Sequence, residues 1–361
     1  MRAMRELLIN GRFLTQRCTG VHRYAFDLCS ALHDAGVPFT VLAPRRIRPD
    51  YHCSFNVKHI GYFSSHLWEQ VELPLYVCLH RANAILLNFT GLGSVLYKHT
   101  ICTIHDIAFL KNPKWFSKPY YLTYKFLTPK IARRALSVIT VSQFSKSEIV
   151  RYLHLSPNKI SVIPCAVPST LLQQRQPAVS KTDTPLLLAV SSIDPRKNFE
   201  RLIKAFQRLP PHINCQLYIV GTTNNVFNPI STDANASYPR ITFKGYLNDA
   251  DLATLYNRAT AFVYPSLYEG FGLPPLEAMH FGCPALVSDI APAHEICGDA
   301  VLYCNPIDTA DIAAKMAHIL NDETLRNALK IKGQERAKYF SWTKSAQQLI
   351  ALLEQYDIST H

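Results

Sequence analysis

Short apolar runs alternate with amphipathic segments along the whole chain. The runs cover residues 6–10, 38–43, 84–88, 100–104, 137–142, 159–164, 185–190, 215–220, 241–245, 260–264, 285–288 and 300–303. Runs of this length between turn residues are typical of buried strands, and strands that alternate with helices favour parallel sheets. The pattern therefore predicts an α/β fold with two doubly wound, Rossmann-like sheets.

The segments between these runs carry helical spacing. A helix over residues 21–32 places five apolar residues on one face: Val21, Tyr24, Ala25, Leu28 and Leu32. Another helix opens at residue 143, with Ser145 as its expected cap. Around residues 168–184 the chain becomes polar and proline-containing, as expected of a linker. We therefore expect a first domain over residues 1–175 and a second over residues 176–340.

The stretch over residues 264–284, YPSLYEGFGLPPLEAMHFGCP, combines a strand end, a glycine loop and a short helix. Pro274 and Pro275 suit a first helical turn, and Gly282 followed by Pro284 marks the helix end. The start of such a helix attracts a phosphate, and the glycines let a ligand approach the backbone closely. This stretch is the best candidate for a ligand site.

Two carboxylates, Glu269 in the loop and Glu277 in the helix, can project toward the same ligand. A carboxylate is a good acceptor for the vicinal hydroxyls of a ribose or hexose. An isolated glutamate pair is more often merely solvated, so the pair alone does not establish a site.

Three further loops follow strands at the carboxyl edge of a predicted sheet, where open α/β sheets bind ligands. Arg196 and Lys197 form a pair of cations that can neutralise a diphosphate. Gly20 opens a helix and offers a second anion site. His105 and Asp106 follow a strand of the first half. Each has a plain alternative, namely a basic turn, a glycine turn and a structural His–Asp pair.

The string EGFG, followed by LPPLEAM and Gly-Cys-Pro, closely resembles the E-x7-E signature of retaining glycosyltransferases of family 4. The resemblance covers nearly the whole chain and is most specific over residues 191–198 and 264–304. It implies the GT-B fold, in which two Rossmann-like domains face a central cleft. It also implies that the last segment, residues 341–361, packs back on the first domain.

The resemblance implies a role for each candidate residue. Arg196 and Lys197, in the string PRKN, match the position that grips the donor diphosphate, and Glu269 matches the residue that holds the transferred sugar. His105 is expected to face that sugar, and Asp106 is expected on the acceptor side. The donor-binding positions are Gly20, Tyr246, Leu247, Gly270, Phe271, Gly272, Leu273 and Glu277, the last of them for the ribose.

The net charge of +12 is unevenly distributed. Residues 1–178 hold 22 Lys and Arg against 8 Asp and Glu, a net of +14, whereas residues 179–361 hold 16 against 18, a net of −2. Such asymmetry indicates an anionic partner for the first half. A nucleic acid, an anionic membrane surface and an anionic substrate are all compatible with it.

Cysteine spacing and hydropathy exclude several other classes. The ten cysteines are scattered without a CxxC pair, which argues against a disulfide framework or a zinc site. No apolar run reaches the roughly 20 residues that span a bilayer, and the first ten residues lack a signal-peptide pattern. Asp249 and Asp251 open a helix, where acidic residues complement the dipole, so we do not interpret them as a D-x-D metal motif. A cytoplasmic protein is expected.

These observations predict a retaining glycosyltransferase that moves a hexosyl unit from a nucleotide-diphosphate sugar to a hydroxyl of a glycan or lipid-linked acceptor. No metal and no cofactor are expected, because the two cations and the helix start can stabilise the departing diphosphate. Asn10-Gly11-Arg12 is loosely similar to polysaccharide mannosyl- and rhamnosyltransferases, which favours GDP-mannose as donor. A sugar-nucleotide 2-epimerase of GT-B architecture and a nucleic-acid-binding protein are the alternatives, although no motif of a nucleic-acid module occurs.

The basic first half also predicts peripheral attachment to the inner face of the cytoplasmic membrane. Its densest amphipathic stretch runs from Lys111 to Arg134, where six aromatic residues interleave with seven cations. Aromatic side chains favour the headgroup level, and Lys and Arg favour an anionic surface. The alternative is that the aromatics pack in the core and the cations are only solvated.

Overall fold

The computed structural model describes residues 5–49, 51–91, 93–174, 184–223, 226 and 239–358. The chain divides into two compact units. The first unit comprises Met1–Leu110, Leu122–Pro168 and Ser341–His361, and the second comprises Lys111–Tyr121 and Ser169–Phe340. Within the expected linker, Ser169–Leu172 is helical, and residues 175–183 lie outside the described residues.

Every described strand belongs to one of two parallel sheets. The first sheet contains β1 (Leu7–Asn10), β2 (Thr40–Ala43), β3 (Val57–His59), β4 (Ile85–Asn88), β5 (Thr100–Thr103), β6 (Ser137–Thr140) and β7 (Ile160–Val162). The second contains β8 (Leu186–Val190), β9 (Gln216–Val220), β10 (Ile241–Gly245), β11 (Ala261–Tyr264), β12 (Ala285–Ser288) and β13 (Leu302–Cys304). The predicted fold class, two Rossmann-like parallel sheets, is confirmed.

The helices surround these sheets. They are α1 (Gly20–Asp34), α2 (Ser65–Leu67), α3 (Leu73–His80), α4 (Ala108–Lys111), α5 (Lys118–Arg134), α6 (Gln143–Leu153), α7 (Ser169–Leu172), α8 (Phe199–Gln207), α9 (Asp249–Arg258), α10 (Leu273–His280), α11 (Ala291–Cys297), α12 (Thr309–Asn321), α13 (Glu323–Ala337) and α14 (Trp342–Glu354). A π-helical turn, Trp68–Glu72, joins α2 to α3 into one continuous segment. Among the described helices, none combines the length and apolarity needed to cross a bilayer.

The strand order positions a ligand site in each unit. The orders are β3-β2-β1-β4-β5-β6-β7 and β10-β9-β8-β11-β12-β13, so the winding reverses between β1 and β4 and again between β8 and β11. The central strands are buried along their whole length, which explains their continuous apolar sequences. Ligands of such sheets bind beyond the carboxyl ends of the strands that flank the reversal.

The C-terminal helix lies within the first unit and packs on α1. The indole Nε1 of Trp342 donates to the carbonyl of Val167 at 2.9 Å, and the Trp342 ring lies 5.9 Å from the ring of Tyr24 on α1. Ser345 Oγ donates to the carbonyl of Pro164 at 2.8 Å. These contacts tie the end of the chain to the last strand region of the first sheet.

Some local predictions were wrong. The cap of α6 is Ser142, whose Oγ accepts from the N–H of Ser145 at 3.0 Å, so the expected cap lies three residues too late. Strand β3 went unpredicted because Val57-Lys58-His59 is short and mostly exposed. The segment over residues 65–80 went unpredicted because apolar residues occupy both of its sides, which removes the helical periodicity.

Candidate active site

The loop after β8 is built to present Arg196. Asp194 is fully buried, and its Oδ1 accepts from the Arg196 backbone N–H at 3.0 Å and from the Arg196 Nε at 3.3 Å. This carboxylate starts the 3-10 turn Pro195–Lys197 and also fixes the guanidinium. The other side of that guanidinium lies over the ring of Phe116, 5.8 Å from its centroid. Arg196 is therefore oriented before any ligand binds.

Asn198 joins this loop to the one after β11. Its backbone is left-handed, with φ of 61°, a conformation that asparagine tolerates better than most residues. Its side-chain amide donates to the carbonyls of Pro265 at 2.9 Å and Pro306 at 2.7 Å. In addition, the N–H of Leu267 donates to the carbonyl of Arg196 at 2.7 Å. The two loops that flank the reversal of the second sheet thus form one rigid piece.

Lys197 and Glu269 meet at the centre of this piece. The Lys197 Nζ lies 2.6 Å from Glu269 Oε1, and the two side chains are 9% and 12% exposed. The same Oε1 accepts from Tyr264 OH at 2.8 Å and from Ser266 Oγ at 2.5 Å, while Lys197 also donates to Tyr264 OH at 2.7 Å. A buried ion pair of this kind is costly unless hydrogen bonds satisfy it, as they do here.

The protonation state of Glu269 follows from its surroundings. Burial by itself would raise the pKa of this carboxyl, but the charges of Lys197 and Arg196 and the hydrogen bonds from Lys197 and Ser266 hold the pKa below its usual value. Burial and the adjacent carboxylate raise the pKa of Tyr264 well above 10, so the phenol keeps its proton and remains a donor. Glu269 is consequently an ionised acceptor at neutral pH.

The glycine loop leads into α10 as the sequence predicts, with one modification. Gly272 caps the helix with φ of 98°, a value that L-residues rarely adopt. Pro274 and Pro275 occupy the second and third helical positions, so two of the usual N–H donors of a helix start are missing. The remaining donors of this helix start are the N–H groups of Gly272 and Leu273.

A small pocket opens beside this helix start, among the loops after β11 and β12. Its lining includes Glu269, Phe271, Gly272, Ser288 and Cys297. Phe271 is buried and packs edge-on against Phe340, with ring centroids 5.5 Å apart. Phe271 and Gly272 therefore line the same pocket as Glu269, the ion-pair partner of Lys197, and Gly270 lies between Glu269 and Phe271 in the loop.

Glu277 has a different environment from Glu269. It lies within α10, is 6% exposed, and its Oε2 accepts from Tyr256 OH of α9 at 2.8 Å. Burial and this carboxylate raise the pKa of Tyr256 well above 10. Tyr246 and Leu247 follow β10, which is separated from β8 by β9, and the side chain of Tyr246 is half exposed.

The remaining predicted residues lie in the first unit. Gly20 is the first residue of α1, and His105 follows β5. The ring of His105 packs edge-on against Tyr24 of α1, 5.0 Å between centroids, and its Nε2 donates to the carbonyl of Phe89 at 2.9 Å. Burial lowers the pKa of His105, so the imidazole is neutral and its Nδ1 is an acceptor. Asp106 Oδ1 accepts from the N–H of Ala108 at 2.9 Å.

A second buried polar cluster occupies the carboxyl edge of the first sheet, and the sequence did not predict it. Arg12 Nη1 pairs with Glu69 Oε2 at 2.7 Å, and Asn10 Nδ2 donates to Glu69 Oε1 and to Asn88 Oδ1, each at 2.9 Å. The Nε of Arg12 is buried without a hydrogen-bond partner among the described residues. Asn10 and Asn88 end β1 and β4, the strands that flank the reversal. The string Asn10-Gly11-Arg12 was the one visible signal.

The strand reversal of the second sheet thus carries paired cations, a buried carboxylate and a glycine-led helix start, a set of groups that suits a phosphorylated ligand. Residues 19–171 match the family described as Glycosyltransferase Family 4, and residues 172–336 match the family described as Glycosyl transferases group 1.

Relatives of known activity match most of the chain. The O-antigen chain mannosyltransferase B of Escherichia coli is 31% identical over 265 residues, which cover 70% of this chain and 69% of that protein. The serotype-specific mannosyltransferase WbdA of Escherichia coli is 32% identical over 265 residues, 68% of this chain and 32% of its own length. The chain thus spans about a third of the latter protein.

Solved structures agree on the fold. A sucrose-phosphate synthase from Thermosynechococcus elongatus superposes with a TM-score of 0.74 at 21% identity, covering 98% of this chain and 99% of that one. Anabaena HepE, in complex with UDP and glucose, gives 0.71 at 16% identity, covering 98% and 100%. The chain belongs to the family 4 (group 1) glycosyltransferases of GT-B fold, and it is a hexosyltransferase.

Proposed function

We propose that the protein transfers a mannosyl unit from GDP-mannose, with retention of configuration, to a hydroxyl of a glycan or lipid-linked acceptor. One relative at 31% identity is named an O-antigen chain mannosyltransferase and another at 32% a serotype-specific mannosyltransferase, and these names support mannose as the sugar. The observation that carries the chemistry is the preorganised group of Arg196, Lys197 and Glu269 at the strand reversal of the second sheet.

The hard step in such a reaction is the departure of a diphosphate. Arg196 offers a planar pair of donors, and Lys197 offers a compact charge. Both are oriented by hydrogen bonds that exist before the donor binds, so little reorganisation is needed when charge grows on the leaving group. The N–H groups of Gly272 and Leu273 would add two more donors. This set provides the positive field without a metal ion.

Glu269 would act on the sugar side of the same group. As an ionised acceptor it can bind sugar hydroxyls, and its contact with Lys197 keeps the cation within the site until a phosphate takes its place. The acceptor hydroxyl would attack from the face that the diphosphate leaves, with a phosphate oxygen receiving its proton. No separate general base is required.

Other residues keep the roles that the resemblance implies. Glu277 would bind the ribose, and Tyr246 and Leu247 would lie near the base. Neutral His105 can accept a hydrogen bond from a sugar hydroxyl through Nδ1. Asp106 would lie near the acceptor substrate. A peripheral location on an anionic membrane surface, where a lipid-linked acceptor is found, also belongs to this proposal.

A thermal-shift panel of sugar nucleotides tests the donor. We expect GDP-mannose to stabilise the protein most, by about 2.7 kcal/mol when present at about 100 times its dissociation constant. Proton NMR of the product should show the same anomeric configuration as the donor. A larger shift with a uridine or thymidine diphosphate sugar would contradict the donor, and an inverted product would contradict the mechanism.

A further inference from the structure

A line of apolar side chains is exposed on the first unit. Large side chains at six positions between residues 62 and 79 are each at least 43% exposed, with the highest values at Tyr62 (80%) and Leu79 (70%). The six are Tyr62, Phe63, Leu67, Val71, Leu75 and Leu79. The last four are spaced by four residues along the continuous helical segment over residues 65–80, so they form one stripe. We name these six residues the apolar stripe.

The opposite side of this segment explains why the stripe is not needed for folding. Trp68, Leu73 and Val77 are fully buried in a core cluster with residues of β1 and β4. Glu69, in the π-helical turn, is held by Arg12. The segment is thus anchored through one side, while the stripe on the other side contributes little to the core. Contiguous apolar patches of this kind on a protein surface mark an interaction site.

Cations border the stripe. The guanidinium of Arg45 lies 3.8 Å from the ring centroid of Tyr62, and Lys58 Nζ lies 5.4 Å from that of Tyr76 on α3. The nearby carboxylate of Glu72 is occupied by the N–H groups of Tyr62 and Phe63, at 2.7 and 2.8 Å. Glu72 therefore fixes the aromatic loop.

We propose that the apolar stripe and its bordering cations dock on the anionic surface of a lipid bilayer. An aromatic loop followed by a helix with an apolar outer side and flanking cations has the composition of an interfacial membrane element. This inference rests on the peripheral membrane location proposed above, and it assigns the membrane attachment to the apolar stripe. It also brings the acceptor edge of the first sheet close to the bilayer, because Glu69 joins the same segment to Asn10 at the end of β1.

The stretch from Lys111 to Arg134, which the sequence favoured for this role, fits it less well. Phe116 stacks on Tyr120 with ring centroids 5.3 Å apart, and Tyr124 packs against Phe109 at 5.8 Å. Of its six aromatic side chains, Phe126 is the one that is largely exposed. The rings there mainly support the fold, and the division between the two units falls inside this stretch.

Cosedimentation with vesicles of phosphatidylglycerol and phosphatidylcholine tests the proposal. The double variant Leu75→Gln with Leu79→Gln should lower the vesicle partition coefficient by roughly tenfold or more, because two apolar contacts with the bilayer are lost. The matched control, Leu122→Gln with Phe126→Gln on α5, should stay within about twofold of wild type. Arg45→Gln should weaken binding at low salt and have little effect at high salt, where screening is strong.

The outcomes separate the surface from the location. If the stripe variant binds vesicles as well as wild type does while the α5 control loses vesicle binding, the stripe is not the docking surface, but the membrane location stands. Absence of vesicle binding by wild type would overturn both the stripe and the membrane location, while the proposed glycosyl transfer would be unaffected.

If the stripe variant is a monomer in light scattering where wild type is a dimer, and vesicle binding is unchanged, the stripe is an interface between copies. Unchanged thermal midpoint and donor affinity would confirm that the variants fold, and Tyr62→Ser gives an independent second variant.

Discussion

Replacement of Lys197 by methionine removes the cation from the central ion pair and keeps most of the aliphatic side chain. Glu269 then remains buried, with hydrogen bonds from Tyr264 and Ser266 but without its closest counter-charge. Breaking one partner of a buried ion pair costs about 3–5 kcal/mol of folding stability, since an uncompensated charge is left behind. Because burial raises the pKa of Glu269 and Lys197 is the main opposing charge, the pKa of this carboxyl should rise in the variant.

The double variant, Lys197→Met with Glu269→Gln, separates folding from catalysis. Removal of both charges of a buried pair is often nearly neutral, so most of the lost stability should return. Turnover should not return, and should stay lower by on the order of 10²-fold or more, because the positive charge at the leaving diphosphate and the ionised acceptor for the sugar are both missing.

Denaturant unfolding and a donor-consumption assay on the same samples measure both quantities. Recovery of turnover in the double variant would refute a catalytic role for Lys197 and leave it a structural one. An unchanged free energy of unfolding in the single variant would refute the argument from burial.

Three further predictions concern other residues. Glu277→Ala should weaken donor binding by roughly 1.5–3 kcal/mol in calorimetry, since a charged acceptor for the ribose is lost; wild-type affinity would remove Glu277 from the site. Arg196→Ala should lower turnover by on the order of 10²-fold, and wild-type activity should survive EDTA; abolition by the chelator would contradict the metal-independent account. Burial, together with the nearby charge of Arg12, lowers the pKa of His22 from 6.5 to about 4. His22 therefore contributes stability above pH 6.5 that is lost as the pH falls toward 4, and His22→Gln should flatten the unfolding free energy over that window; an unchanged slope would contradict this.

Local sequence was sufficient to predict the loops of the candidate site in the second unit, because each loop is formed by a short contiguous segment of the chain. The order strand, glycine loop and helix over residues 264–284 follows from apolar runs, glycine conformational freedom and proline placement, all of which act over a few residues. The same holds for Arg196 and Lys197 after β8. What these strings could not reveal is that Tyr264, Ser266 and Asn198 hold the two loops together, because those contacts span up to about a hundred residues of chain.

The sequence by itself determined the fold class, the family and the two loops of the candidate site. The tertiary structure decided which groups pair. Only the packing of β1 against β4 brings Asn10 and Asn88 together and buries Arg12 with Glu69, and only the burial of one side of the segment over residues 65–80 shows that the other side is an exposed apolar stripe. The physical reason is that periodicity reports burial on average, whereas long-range hydrogen bonds and two-sided apolar helices depend on neighbours that the local sequence does not specify.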